Sequence, residues 1–102
     1  TERVRIVEKV ENGELLPNVD TNKNLIALPR RDATVSAGGD IVIEDADEGV
    51  YVLFLTSRGL KHSFTGFLRV PPNGDPKKFL EFAGKPPSQL LRYDREWWFV
   101  AN

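Results

Sequence analysis

The chain contains no cysteine, no methionine and one histidine in 102 residues. Without cysteine there can be no disulfide, no thiolate metal ligand and no Cys nucleophile. With His62 as the only imidazole, a transition-metal site of ordinary composition cannot be assembled. No apolar run approaches the ~20 residues that cross a bilayer, so no membrane span is expected. A soluble, cytoplasmic setting is favoured without being fixed. Glycine-rich phosphate cradles are missing too, since Gly38-Gly39 leads into a strand-like segment rather than a helix. No cofactor is implied, and a non-enzymatic protein is the expectation.

What is present suffices for a core. Hydrophobic residues make up 40% of the chain and aromatic residues 10%, a composition that argues against disorder. The length predicts a single domain over residues 1–102. A formal net charge of -1 excludes a global field drawing the molecule to nucleic acid or anionic lipid. That average conceals an asymmetry: residues 1–57 hold six Lys/Arg against eleven Asp/Glu, and residues 58–102 hold eight against four. A closed barrel would interleave the two halves, whereas an arrangement that keeps them apart would have an acidic and a basic side.

The most informative stretch is Gly49 to Val70. Val50 to Thr56 is uncharged and rich in β-branched and aromatic residues, which predicts a strand covered on both faces. The second strand alternates, with Phe64, Gly66, Leu68 and Val70 on one face and Ser63, Thr65, Phe67 and Arg69 on the other. A four-residue loop from Ser57 to Leu60 would place Tyr51 opposite Gly66 and Leu53 opposite Phe64. A loop one residue longer would bring Phe54 opposite Phe64 instead. Gly66 in mid-strand suggests a bulge or sharp coil.

Elsewhere, Val4 to Val10 reads as a one-side-solvated strand followed by the hairpin signal Asn12-Gly13. Leu25 to Leu28, Ala33 to Ala37 and Ile41 to Ile43 read as short strands, with a charged turn at Arg30-Arg31-Asp32 and an acidic loop from Asp45 to Gly49. Pro71-Pro72-Asn73-Gly74 breaks the sheet. Asp75 as N-cap, Pro76 at the first position and Gly84 as C-cap predict a helix over Pro76 to Ala83, with Phe79, Phe82 and Ala83 on its buried face. Trp97 to Ala101 is a last strand. Trp97-Trp98 resembles the adjacent tryptophans of Src-homology-type peptide-binding barrels over that segment alone. The ALYDY-like opening motif of such domains is absent, so no family follows.

Candidate chemistry is sparse. His62 with Ser63, Thr65 or a carboxylate could build a small hydrolase site, against the plainer reading of a rim histidine bonded to a carbonyl. The acidic residues Asp40, Glu44, Asp45, Asp47 and Glu48 do not fit the spacing of a calcium loop and read as a solvated hairpin tip. No metal site is expected. The basic and aromatic set Arg58, Lys61, Phe67, Arg69 and Trp98 (or Trp97) is the best lead. On one presented face it would dock a protein partner. The alternative is single-stranded nucleic acid on that same face, cations on the backbone and rings on the bases. The fold class expected is mainly β, a small partly closed antiparallel barrel or sandwich of six to seven strands with one short helix.

Overall fold

The computed structural model describes residues 2–20, 24–58, 63–79 and 87–102. Among these, six strands form one antiparallel sheet: β1 (Leu25–Ala27), β2 (Asp40–Ala46), β3 (Gly49–Arg58), β4 (Phe64–Arg69), β5 (Gln89–Arg92) and β6 (Trp97–Ala101). Their order is β1-β2-β3-β4-β6-β5, and the sheet does not close into a barrel. The fold is mainly β, as the composition and alternation predict.

β3 is the middle of the structure. Val50 to Leu55 are all buried, successive side chains entering opposite cores. One core joins Val50, Val52 and Phe54 to Ile6, Val7, Ile26, Ile41 and Ile43. The other joins Tyr51, Leu53 and Leu55 to Val42, Leu68, Phe79 and Val100. Each large side chain so buried contributes roughly 1.5–3 kcal/mol, which is why an uncharged run is needed here.

The first core is closed by a helix, α1 (Glu2–Glu11), where the sequence predicts a strand. The reason lies in the spacing. Ile6, Val7 and Val10 recur at helical intervals, and Ile6 and Val7 are the buried pair. Asn12-Gly13 is therefore a helix stop and not a hairpin turn. Gly13 takes φ +82°, its N–H donates to Val10 O, and Glu14 N–H reaches back to Lys9 O, the paired bonds of a Schellman cap.

The expected strand at Ala33–Ala37 is also replaced. Arg30–Val35 is a 3-10 segment starting after Pro29, and only Ser36 and Ala37 reach the sheet, bonding the main chain of Leu55. The expected helix at Pro76–Ala83 begins as predicted, since the Asp75 carboxylate accepts the Lys77 N–H and Pro76 follows it. It is a 3-10 turn of Pro76–Lys78 that ends at an extended Phe79, and residues 80–83, with Phe82, lie outside the described residues. The acidic loop narrows to a two-residue turn, because β2 pairs as far as Ala46 opposite Gly49.

Neither expected hairpin register is adopted. Phe54 faces Phe67 and Leu55 faces Gly66, then a bulge shifts the pairing so that Ser57 faces Thr65 and Arg58 faces Phe64. The glycine lies opposite the bulge, not within it. A Cβ on Gly66 would stand 2.5 Å from Phe54 O and 3.0 Å from a Leu53 methyl. Only a missing side chain lets β4 approach β3 so closely.

On the second face Tyr51 ties three segments together. Its hydroxyl donates to the Glu48 carboxylate and accepts the Asp75 N–H at 3.0 Å. Lys78 Nζ lies 3.7 Å from the same carboxylate. Burial first, and then the bond to Glu48, push the Tyr51 phenol from 10 up to about 12. The Tyr51 hydroxyl holds Glu48 below its ordinary value.

Two outcomes follow from this packing. Gly66→Ala should lower unfolding stability by about 2–4 kcal/mol in urea denaturation. Gly13→Ala, with nothing within 4 Å of the added carbon, should lose only about 1 kcal/mol of backbone strain. Because the folded pKa of Tyr51 is raised, its contribution is whole below pH 10 and lost as pH rises through about 12. In a Tyr93→Phe variant, where Tyr51 is the sole tyrosine, the phenolate absorbance should titrate near pH 12 while near-ultraviolet dichroism persists. A midpoint near 10 with that dichroism intact would contradict the buried bond.

Candidate functional site

The sheet register separates the residues that the sequence groups together. Phe67 and Arg69 of β4 lie on the α1 face, with Phe99 and Trp97 of β6 opposite them. Trp98 pairs with Leu68 and belongs to the other face. Arg58, beyond the bulge, pairs with Phe64 on that second face as well. Lys61 and His62 lie outside the described residues. Among the described members of the set, Phe67, Arg69 and the alternative Trp97 share the α1 face, whereas Arg58 and Trp98 belong to the other, so Phe67 and Trp98 cannot meet one ligand through the same face.

The cations are also engaged. Arg58 lies across Gly38, whose lack of a side chain makes room for it, and pairs with Asp40. Arg69 is 6% exposed. Its guanidinium donates to Val50 O at 3.0 Å and to Glu96 at 3.1 and 3.0 Å, and stands 3.1 Å from Glu11. These bonds fasten α1, β3 and the β5–β6 turn to one side chain. Trp98 is half-buried against the second core, with Arg92 5.8 Å from its ring.

What the α1 face does present is a groove of about 470 Å³ between the start of α1, the Arg30–Val35 segment and the turn before β6. Its apolar lining comes from Val4, Val35, Phe67, Tyr93 and Trp97, and its polar rim from Glu2, Arg3, Thr34 and Asp94. Tyr93 and Phe99 both meet Phe67 edge-on at 5.6 Å. Arg3 lies 5.0 Å over the Phe67 ring and donates to Val35 O at 3.3 Å, so the cation bridges the groove. Of the residues singled out from the sequence, Phe67 and Trp97 line this groove. Arg3 and Tyr93 were missed. Arg3 is found only once residues 2–11 are read as helical, which sets it one turn before Ile6 and Val7 on the covered face.

The Thr65 hydroxyl is 2.7 Å from that of Thr56 and 2.6 Å from that of Ser57, and these exposed hydroxyls bond one another beside the bulge. Among the described residues no three His, Asp or Glu side chains could share a metal ion. No described helix is long and apolar enough to cross a membrane. A second recess, about 250 Å³, is lined by Glu8, Glu11, Asp94 and Glu96 around Arg69 and Arg95.

Arg69→Ala should destabilise the fold by about 2–3 kcal/mol, since it leaves Val50 O without its donor and two carboxylates without their cation. Arg69→Lys should recover little of this, having no planar fork to serve three acceptors. Urea denaturation measures both; unchanged stability would return Arg69 to the role of a surface contact. No protein-family model, curated protein or solved structure matches the chain.

Proposed function

We propose that the chain is a non-enzymatic binding module whose groove between α1 and the β4–β6 half of the sheet docks a protein partner. The observation that carries this reading is the aromatic lining of half-buried Phe67 and Trp97 and exposed Tyr93, with Arg3 over Phe67. Protein interfaces are enriched in these residue types, and a pocket floored by fixed rings suits an apolar anchor side chain. The rim carries Glu2 and Asp94 as well as Arg3, a mixture better matched to a peptide's paired charges than to a phosphate backbone. Single-stranded nucleic acid is less well supported, because Arg58 and Arg69 are held in internal ion pairs.

The test is selection of peptides from a random displayed library on the immobilised chain, followed by amide shift mapping with a selected peptide. Perturbed amides should cluster at Thr34, Val35, Phe67 and Trp97. Thr34→Arg, which fills the groove from an exposed position, should weaken binding at least tenfold, about 1.4 kcal/mol, without lowering the melting temperature. Shifts that map elsewhere would overturn the reading. Mixed oligonucleotides that bind at low salt, lose affinity steeply as salt rises and perturb the same amides would replace it with the nucleic-acid reading.

A further inference from the structure

The two edges of the sheet are treated differently. At β1 the Asn18 side chain fills the outer edge, accepting the Ala27 N–H at 2.8 Å and donating to Ala27 O at 3.1 Å, while Asn18 N–H bonds Leu25 O. Asn18 thus stands where a further strand would. At the other edge, no described residue pairs with the outer side of β5.

Which groups β5 offers follows from its inner pairing. Tyr93 N–H donates to Trp97 O at 2.9 Å, so by alternation Leu91 and Gln89 turn their main-chain groups toward β6. Leu90 and Arg92 turn theirs outward. The usual guards of an open edge are missing: between Gln89 and Arg92 there is no proline and no lysine. The one charge, Arg92, is folded back over the sheet, donating to Asp94 O at 3.2 Å and Arg95 O at 2.9 Å. Leu91 is 67% exposed and Tyr93 74%, both at this edge.

We infer that β5 pairs antiparallel with β5 of a second copy of this chain, on a two-fold axis through Leu91, extending the sheet across the dimer. The inference goes beyond the groove reading and does not rest on it. A second copy is the occupant because the edge is complementary to itself. With Leu91 opposite Leu91, Leu90 of one copy faces Arg92 of the other, and these are the residues whose N–H and C=O point outward. Each such pair exchanges both bonds, leaving Leu91 in the close, non-bonded pair on the axis. The Leu91 side chains meet there, Tyr93 lies diagonally across from the other Leu91, and no like charges are opposed. A four-residue edge buries less than a standard interface of ~1,600 Å², so the dissociation constant is expected between about 10 µM and about 1 mM.

The test is sedimentation equilibrium of the full chain from about 20 µM to about 2 mM, with amide exchange at Leu90 and Arg92 followed by NMR. The mean mass should rise from monomer toward dimer, and both amides should gain protection with concentration. Leu91→Lys puts two ammonium groups on the axis, and Arg92→Pro removes an outward N–H that the monomer does not use. Each should weaken association at least tenfold, with near-ultraviolet dichroism of the monomer preserved in Leu91→Lys. A wild-type chain still monomeric at the highest concentration would overturn the inference. So would a dimer that survives both substitutions. Thr34→Arg leaves this edge untouched, so failure of the groove and failure of the edge are separately visible.

Discussion

A strand with no polar face must be covered twice. Val50 to Leu55 is such a strand, and the rest of the architecture answers that constraint. β2 and β4 pair with it on either side, the Arg69 guanidinium takes Val50 O, and Ser36 and Ala37 take the main chain of Leu55. α1 covers one face, and Phe79 with the chain leading from Pro71 covers the other. Elements carrying little helical or strand propensity of their own acquire their form by serving it. The Arg30–Val35 segment packs against α1, and Ser36 then returns to bond the β3 main chain.

The charge asymmetry has a structural use that composition alone does not disclose. Because the sheet runs β1-β2-β3-β4-β6-β5, the strands of the earlier half lie on one side of the β3–β4 seam and those of the later half on the other. Arg69 with Glu11 and Lys78 with Glu48 each join a cation of the later half to an acid of the earlier half, while Arg58 and Asp40 pair within the β2–β3 hairpin. The acidic and basic segments thus attract across the join. Arg69 matters most, since its fork is out of water and satisfies a main-chain carbonyl as well. Arg69, which looks free in the sequence, is thus a cation the fold needs at this seam.

Where the sequence was legible, one pattern had one structural meaning. The β3 run, the β6 strand at Trp97–Ala101, the sheet break at Pro71 and the Asp75-Pro76 cap all appear as read. Residues 4–10 failed because Val4, Ile6 and Val10 satisfy period two while Ile6, Val7 and Val10 satisfy the helical period. Seven residues cannot decide between them without knowing which face is covered. The register failed for another reason: the bulge between Leu55 and Ser57 is a property of the pairing and leaves no mark on the β3 sequence. That error governed the site. Moving β4 against β3 and placing Arg58 beyond the bulge sends Arg58 to the face opposite Phe67 and Arg69.

The half-covered groove is a consequence of proportion. A helix is about 10 Å across, and strands lie about 4.8 Å apart, so one helix shields roughly two strands. α1 packs on β3 and the Arg30–Val35 segment, which leaves β4, β6 and β5 to protect the same face by themselves. They do so in part, with Phe67, Phe99 and Tyr93 stacked edge to face and Arg3 laid across them from the helix. Rings held in that way lose little freedom when something apolar settles on them, which favours binding over collapse. The incompleteness of the helix layer thus sets where the groove lies, and the same shortfall leaves Leu91 in water at the edge of the sheet.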